Sequence, residues 1–341
     1  MRAARLLASL CVLLALSNAA RAQEDFYKGK TVRIVIGTAV GASYGVFAQV
    51  VARHLGRFIP GEPALVPVAM PGAGGLVALN HLANVAPKDG TVISVIHVTL
   101  VQESLFNDKA NFDARDFKWI GRLDSLGFVG LASKSSGIKT LEDARKREII
   151  AGSPGLNNVP AQAPLVLNRI GGTRFKLISG YSGVGQVFLA LERGEVEVAV
   201  ASLATMSSVL TDKLKNGDLL PFFVQAGQRL KQYPDIPAIG EFARSDAEKA
   251  FMKVFTLTSD LGRALAATPG VPDDRMTILR NAWRRMMDDP GFKADAAKVG
   301  LDLDPLDADA LAKMVRDAMD MEPPLRAEVK KFYDQVLGGA Q

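Results

Sequence analysis

Cysteine is almost absent from this chain of 341 residues, which contains only Cys11. Cys11 lies in an N-terminal apolar stretch with the pattern of a cleavable leader. The rest of the chain therefore has no disulfide, no thiol nucleophile and no cysteine metal ligand. Histidine is scarce too, and the three present are His54, His81 and His97. They are far apart and outside motifs such as H-E-x-x-H, so the sequence predicts no metal site.

An apolar stretch long enough to span a membrane is also missing from the sequence. The apolar stretch at residues 6–20 is about 15 residues long, shorter than the roughly 20 of a spanning helix. Arg2 and Arg5 precede it, and the small residues Ala20 and Ala22 follow it, as in a signal peptide. We expect cleavage after Ala22, so that residues 1–22 are lost and an exported protein remains.

A large excess of positive charge is lacking once this leader is set aside. The whole chain has 41 Lys and Arg against 36 Asp and Glu, a net charge of +5. The leader contains three arginines and no acidic residue, so the remainder has a net charge of only +2. The basic composition therefore gives no support to a nucleic-acid partner.

The chain does contain a regular alternation of strand and helix patterns. It is typical of parallel sheets with right-handed crossovers. We predict an α/β fold of two domains, each a mainly parallel sheet flanked by helices. Predicted strands lie at residues 32–36, 64–68, 92–96, 128–131, 149–152, 175–178 and 196–201. Predicted helices lie at residues 43–58, 76–85, 161–170, 185–193, 273–288 and 308–318.

The predicted domain division places an inserted domain in the middle of the chain. Residues 124–247 have the pattern of a complete α/β unit, bordered by segments typical of loops. Residues 23–123 and 248–341 would then form the first domain together. Because ligands of open α/β sheets bind beyond the carboxyl ends of the strands, two such domains predict a cleft that closes by a hinge.

Two glycine-rich turns, at residues 37–45 and 71–75, are the most informative local feature. Each follows an apolar strand pattern and precedes an amphipathic helix pattern. Such turns bring backbone N–H groups to a helix N-terminus, where the helix dipole favours an anion. The pair of turns predicts a site for a negatively charged or acceptor-rich ligand.

Nucleotide binding is the first competing interpretation of these turns. A phosphate-binding P-loop requires a lysine that neither turn contains. Gly37, Gly41 and Gly45 are spaced by fours, and Leu76 and Val77 follow Gly75 where a dinucleotide fingerprint requires a further glycine. We therefore predict no cofactor.

An exported serine hydrolase is the second competing interpretation. The segment around Ser182 nearly matches the nucleophile elbow G-x-S-x-G, but Val184 occupies its last position. All three histidines precede Ser182, whereas the histidine follows the serine in that fold. Ser182 would otherwise be a helix N-cap or a ligand contact. Ser153 is an alternative nucleophile under the same hypothesis.

Further candidate ligand contacts follow other predicted strands. His97 follows the strand at 92–96, where a side chain would point into a cleft. Ser153 and Asn157 lie in a strand–turn–helix segment like the glycine turns. Their short polar side chains can hydrogen-bond a carboxylate without a full positive charge.

Segments in a fixed order resemble the substrate-binding proteins of tripartite tricarboxylate transporters, the Bug or TctC-like family. The resemblance extends from about Phe26 to Arg316. It includes residues 26–35, 39–41, 70–75 and 86–91, then 112–113, 116–117 and 121–123, and later 189–194, 196–200, 233–237 and 270–272.

The resemblance implies a two-domain periplasmic binding protein of the Venus-flytrap, type II-like fold, without catalysis. Its partners would be a small organic acid and membrane permease subunits, and the protein would be a monomer. A sensor that docks on a membrane receptor would use the same ligand-bound form. Ligand contacts carried over by motif are Thr38, Ala39, Val40, Gly41, Ala42, Ser43 and Tyr44, then Gly72, Ala73, Gly74 and Gly75. Opposite them would lie Ser153, Asn157, Asn158, Tyr181, Ser182, Gly183 and Ser202.

Several positions in and beside these turns depart from the family pattern, among them Gly37, Thr38, Val40 and Ala42. Gly45 stands where the family has aspartate, and Ala69 stands where it has asparagine. These positions suggest a changed ligand or a changed ligand pose, and Tyr44 adds an aromatic surface suited to a flat or larger solute.

Overall fold

The computed structural model describes residues 26–155, 158–230 and 232–336. The predicted leader and its cleavage site, like Asn157, lie outside the described residues. Within the described residues, no helix is both long and apolar enough to cross a membrane.

Eleven strands occur in the described part of the chain. In chain order they are β1 Thr31–Ile36, β2 Ala64–Ala69, β3 Val92–Val95, β4 Lys118–Arg122, β5 Phe128–Ser133, β6 Ile149–Ser153, β7 Phe175–Ser179, β8 Val198–Ser202, β9 Leu219–Val224, β10 Ala264–Ala267 and β11 Leu306–Asp307.

The α-helices follow the same alternation. In chain order they are α1 Ser43–Leu55, α2 Leu76–Asn84, α3 Leu100–Phe106, α4 Leu141–Lys146, α5 Val159–Val166, α6 Val184–Glu192, α7 Leu203–Ser208, α8 Thr211–Lys215, α9 Asp246–Leu261, α10 Asp273–Asp288, α11 Pro290–Lys298, α12 Ala308–Met319 and α13 Pro323–Val336. All six predicted helices and all seven predicted strands are present, with small differences at their ends. A π-helical turn, Leu167–Gly171, continues α5.

The chain divides into two compact units. The first comprises the described part of Met1–His97 together with Asn111–Leu123 and Ala264–Asp309. The second comprises Val98–Ala110, Asp124–Arg263 and the described part of Ala310–Gln341. The predicted inserted domain, 124–247, lies within the second unit, which also takes residues 98–110, 248–263 and the described part of 310–341. The limits given above for the two domains, 23–123 with 248–341 and 124–247, remain a prediction.

The first unit is built on a sheet with the order β11-β4-β10-β3-β1-β2. β1 pairs in parallel with β2 and β3, for example Val35 with Val68, whereas β10 is antiparallel to β3 and β4. Its core is formed by the buried faces of β1, β3, α1 and α10, with Ile34, Val51 and Leu279 fully buried.

The second unit is built on a sheet with the order β7-β6-β8-β5-β9. β6 is parallel to β7 and β8, whereas β5 is antiparallel to β8 and β9. Its core combines residues of β5, β8 and α6, among them Leu131 and Val187. In the first sheet, β10 lies between β3 and β4 and is antiparallel to both. In the second sheet, β5 lies between β8 and β9 and is antiparallel to both.

The sheets are therefore mixed: four strands of each sheet share one direction, as expected of a mainly parallel sheet, whereas β5, β10 and β11 are reversed. In the first unit, the reversed strand β10 (Ala-Leu-Ala-Ala) is short and alanine-rich, so its local strand signal is weak. In the second unit, β5 was predicted as a strand, but its direction depends on distant pairing partners. Strand periodicity predicts the strand and does not determine its direction in the sheet.

Candidate functional site

The carboxyl ends of β1, β2 and β3 lie at one edge of the first sheet, because these strands are parallel. The two glycine turns and His97 follow these three ends. The sheet therefore brings together, within one unit, the predicted contacts of 38–44, 72–75 and 97.

The first turn folds back onto the start of α1. The amide of Ala42 donates to the carbonyl of Ala39 at 3.0 Å, and the side chain of Gln49 donates to the carbonyl of Val40 at 3.4 Å. A Cβ atom on Gly45 would lie 2.0 Å from the Val40 carbonyl oxygen. The conformation of the turn therefore excludes a side chain at position 45.

The second turn is built from left-handed backbone conformations. The φ angles of Gly72, Ala73, Gly74 and Gly75 are 144°, 45°, 62° and 96°. The amide of Gly75 donates to the carbonyl of Gly72 at 2.9 Å, which closes a tight turn before α2. Glycine adopts these conformations without the steric cost of a side chain, so the glycine run is explained locally.

His97 contacts residues of both glycine turns, Tyr44 and Gly75. Its imidazole stacks on Tyr44, with ring centroids 5.3 Å apart and an interplanar angle of 16°. A Cβ atom on Gly75 would lie 2.8 Å from Cγ of His97, so the imidazole packs directly against the glycine backbone. Burial lowers the pKa of His97 to about 4. The ring is therefore neutral at pH 7 and supplies no positive charge.

A close approach that sequence reasoning missed holds the turns together. A Cβ atom on Gly37 would lie 2.9 Å from Cα of Gly75. The position of Gly37 directly after a strand was the only local signal for this role, and it does not distinguish a close approach from an ordinary turn.

The second unit presents a comparable edge after β6, β7 and β8. Ser153 is completely buried, and its hydroxyl lies 2.9 Å from Oδ1 of Asn158 and 2.8 Å from the carbonyl of Gly155. Oδ1 of Asn158 in turn accepts from the amide of Ala161 at 3.1 Å and caps α5. Both predicted contacts are therefore engaged in a helix cap.

Ser202 has a similar role at the end of β8. Its hydroxyl oxygen accepts from the amide of Thr205 at 3.2 Å and caps α7. It also lies 2.9 Å from the Thr205 hydroxyl. Side-chain oxygens at these two helix starts already accept the amides that an anion would otherwise contact.

The turn after β7 differs from its two neighbours. Ser182 is exposed, and Tyr181 is half-buried against the core of the unit. The amide of Gly180 donates to the carbonyl of Pro154 at 3.3 Å. α6 begins after Gly183, where no side chain of the described residues supplies a cap.

The helices differ in whether a side-chain cap or an acidic residue is present in their first turn. α4, α5, α7, α9 and α11 have a side-chain cap, whereas α3, α8 and α10 lack one but have an acidic residue in the first turn. Among the helices with a described N-cap, α1, α2 and α6 lack both. These three helices follow the turns with glycine-rich sequences, and their own first turns supply no carboxylate to the positive end of the helix dipole.

Charged side chains are absent from the sequence of these turns. Residues 37–52, 69–80, 149–168, 177–191 and 198–211 contain no Asp, Glu, Lys or Arg. These segments themselves thus offer an anion only backbone N–H groups and neutral side chains.

The hydrolase hypothesis finds no local support. Ser153 and Ser182 belong to the second unit, whereas all three histidines belong to the first. His54 lies 2.9 Å from the Asp295 carboxylate at the far end of α1, in a structural contact. Neither serine has a histidine base within its own unit.

Known proteins resemble this chain over most of its length. A family model described as tripartite tricarboxylate transporter family receptor, TctC, matches residues 48–330. The UPF0065 protein in the gbd 5' region of Cupriavidus necator is 25% identical over 290 residues, 83% of this chain and 82% of the relative.

Solved structures share the fold. A TctC solute-binding protein from Polaromonas, without ligand, superposes with a TM-score of 0.67 at 18% identity, over 89% of this chain and 99% of that one. MatC from Rhodopseudomonas palustris, with bound malate, superposes with a TM-score of 0.58 at 20% identity, over 88% and 99%. These likenesses confirm the predicted two-domain α/β fold of periplasmic binding proteins.

Proposed function

This chain belongs to the family of tripartite tricarboxylate transporter receptors, TctC, and from that membership we propose that it is a periplasmic protein that captures a small organic carboxylate and delivers it to a tripartite-type membrane permease. The protein has no catalytic step and needs no cofactor.

One observation carries this proposal beyond family membership. Among the helices whose N-cap is described, α1, α2 and α6 begin with neither a side-chain cap nor an acidic first turn. Each follows the carboxyl end of a parallel strand, where ligands of α/β folds bind. Backbone N–H groups at a helix start bind carboxylates, and the helix dipole adds to the attraction.

Ligand contacts in this proposal come mainly from backbone. Residues 38–44 and 72–75 contribute in the first unit, and residues 181–183 contribute in the second. Ser153, Asn158 and Ser202 support the turns through their caps. Asn157 remains a proposed contact that lies outside the described residues.

The direct test is calorimetric titration of residues 23–341 with malate, citrate, benzoate, an amino acid and a neutral sugar. Binding restricted to carboxylates, at one site per chain, is the expected result. Thermal unfolding provides a second measurement, since a ligand at 100 times its Kd adds about 2.7 kcal/mol to the free energy of unfolding. Binding of neutral sugars alone would overturn the proposal.

A substitution at the start of α6 tests the anion site. Gly183→Asp places a carboxylate at an N-cap where a Cβ atom meets nothing within 4 Å. It should reduce carboxylate affinity at least tenfold, because the new carboxylate occupies the helix start and repels the ligand. Gly183→Asn is the matched control, because it adds a side chain of nearly the same size at the same position without the negative charge.

Delivery to a permease needs a separate measurement. Vesicles that contain the permease should take up labelled carboxylate only when this protein is added. Uptake that is equally fast without the protein, combined with tight binding, would favour the sensor function instead. Scattering with and without the bound solute tests closure, for which a smaller radius of gyration is expected.

A further inference from the structure

A groove lies on the second unit between helices α9 and α12, with a volume of about 380 Å³. Its third side is formed by the loop backbone at Gly227 and Gly240. All of the lining residues belong to the second unit. No described candidate contact for the solute lines this groove, so it is separate from the turns that carry the proposed solute site.

The lining positions on both helices recur with helical spacing. They are 249, 252, 253, 256, 257 and 260 on α9, and 314, 317 and 318 on α12. Intervals of three and four residues put the side chains of each helix on one face. Two helix faces that converge on one groove have the geometry into which a further helix packs.

The floor of the groove is apolar. Met252 and Leu257 are buried in it, and Met314 is half-buried at its wall. The backbones of Gly227 and Gly240 touch, since a Cβ atom on Gly240 would lie 2.7 Å from the Gly227 carbonyl oxygen. Because methionine is flexible and adapts to different partner surfaces, the floor suits apolar side chains of a docked protein segment.

Charged side chains surround this floor. Lys249 and Asp260 are the first and last lining residues of α9, eleven residues and therefore about 16 Å apart. Between them, the ammonium of Lys253 donates to the backbone carbonyl of Asp317 on α12. An apolar centre with a charged rim is the arrangement of protein interfaces. Lysine stems cover apolar surface and keep the ammonium near water, so a docked segment can displace the Lys253 contact.

The opposite charges of Lys249 and Asp260 set the direction of a docked helix. The C-terminus of a helix is the negative end of its dipole and favours a cation, whereas the N-terminus favours an anion. A helix with its C-terminus at Lys249 and its N-terminus at Asp260 satisfies both preferences. That helix runs antiparallel to α9, whose own N-terminal end lies near Lys249.

Both helices that border the groove continue into the first unit. The chain passes from the second unit to the first after Arg263, two residues beyond the end of α9. It returns after Asp309, within the first turn of α12. A partner docked on α9 and α12 therefore contacts the chain beside two of the points that link the units. A permease that accepts only the loaded protein needs contacts of this kind, because the proposed solute contacts belong to both units.

We propose that the groove between α9 and α12 is the docking site for an amphipathic helix of the membrane permease. The helix binds antiparallel to α9, with its apolar face on Met252 and Met314. Because it assigns the surface through which delivery takes place, this inference rests on the proposed function.

Uptake by vesicles that contain the permease gives the first test, with the rate measured against the concentration of loaded protein. Met314→Asp should raise the half-saturating concentration about tenfold or more, since it places an unpaired charge in an apolar interface. Lys249→Glu should weaken docking and change its dependence on salt. Lys331→Glu changes an exposed lysine of α13 outside the groove and should behave as the parent. Calorimetry should show the parent solute affinity in all three variants, and melting verifies that each is folded.

Single cysteines map the contact directly, because residues 23–341 contain no cysteine. Lys249→Cys and Asp260→Cys are labelled with a photoactivatable crosslinker and illuminated together with the permease vesicles. Mass spectrometry should find both attached to one permease helix, Lys249→Cys near its C-terminus and Asp260→Cys near its N-terminus. Lys331→Cys is the matched control and should not label that helix.

The outcomes separate this docking site from the function that it serves. Crosslinks in the reverse order overturn the antiparallel orientation. Crosslinks between two copies of this chain, with dimers in light scattering, overturn the permease as the occupant. Unchanged uptake with both groove variants overturns the docking site and leaves delivery intact. Tight solute binding without any stimulation of uptake by the parent protein overturns the delivery function itself.

Discussion

Arg263 and Asp124 form a buried ion pair, and the backbone amide of Arg263 also donates to the carbonyl of Asp124 at 3.0 Å. Asp124 begins a segment of the second unit and Arg263 ends it. A Cβ atom on Gly262 would approach the same Asp124 carbonyl oxygen to 1.9 Å. The two points where the chain enters and leaves this segment are thus joined by side chain and backbone.

Asp124→Asn should therefore destabilise the protein strongly. The substitution leaves the Arg263 guanidinium buried without its counter-charge, which typically costs about 3–5 kcal/mol. Urea unfolding measures the change. Glu148→Gln is the matched control: it removes the exposed partner of Lys176, at 3.5 Å, and should cost less than about 1 kcal/mol. Equal effects of the two substitutions would contradict the structural role of the buried pair.

Gly45→Ala tests the first turn. The new methyl group would lie 2.0 Å from the Val40 carbonyl oxygen, so the turn or the helix must shift. Overpacking of this kind costs about 1–3 kcal/mol. Gly41→Ala is the control in the same turn, because a Cβ atom there meets nothing within 4 Å. If both variants unfold at the same urea concentration, Gly45 is not required by the turn.

Ser153→Ala and Ser182→Ala distinguish a buried cap from an exposed serine. Ser153 lies 2.9 Å from Oδ1 of Asn158, and losing that contact should cost about 1–2 kcal/mol of unfolding free energy. Ser182 is exposed, and its substitution should change stability by less than about 0.5 kcal/mol. Chemical denaturation measures both. Ester turnover that either substitution abolishes would revive the hydrolase hypothesis.

Because the pKa of His97 is lowered in the folded protein, we expect the stability of the protein to depend on pH in a particular way. Its folded pKa of about 4 lies below the ordinary value of 6.5, because burial disfavours the charged ring. Between these pH values the unfolded chain binds a proton that the folded chain does not, so stability falls as the pH is lowered from about 6.5 to about 4. The loss reaches at most about 3 kcal/mol and becomes constant below pH 4.

Comparison of His97→Gln with the parent isolates this contribution from the carboxylates, which also titrate in acid. The difference in unfolding free energy between the two proteins should shift in favour of the variant between pH 7 and pH 4.5. Parallel pH profiles for parent and variant would show that His97 is protonated as readily in the folded protein as in the unfolded chain.

Much of the secondary structure could be predicted because its signals are local. The helix predicted at 273–288 is observed as Asp273–Asp288, and the helix predicted at 76–85 is observed as Leu76–Asn84. Such features depend on residues within a few positions of one another. α9 was missed despite its own capping box at Ser245, so a local signal can also be overlooked.

Only some features of the candidate site could be predicted from the sequence. The glycine turns were recognised from sequence, because positive φ angles and tight turns require glycine at particular positions. Ser153, Asn158 and Ser202 remain predicted ligand contacts, but the helix caps in which they take part were not predicted, since a cap and a ligand contact require the same short polar side chains. Only the observed hydrogen bonds separate the two roles.

By itself, the sequence determined the alternation of strands and helices, the family, and the places where glycine opens a helix. The tertiary structure decided the direction of β5 and β10, the approach of Gly37 to Gly75, the ring pair of Tyr44 and His97, and the closure of the first turn over Gly45. Local periodicity and turn chemistry act over a few residues. Strand direction and side-chain contact depend on residues that are distant in the chain and meet only when the core packs.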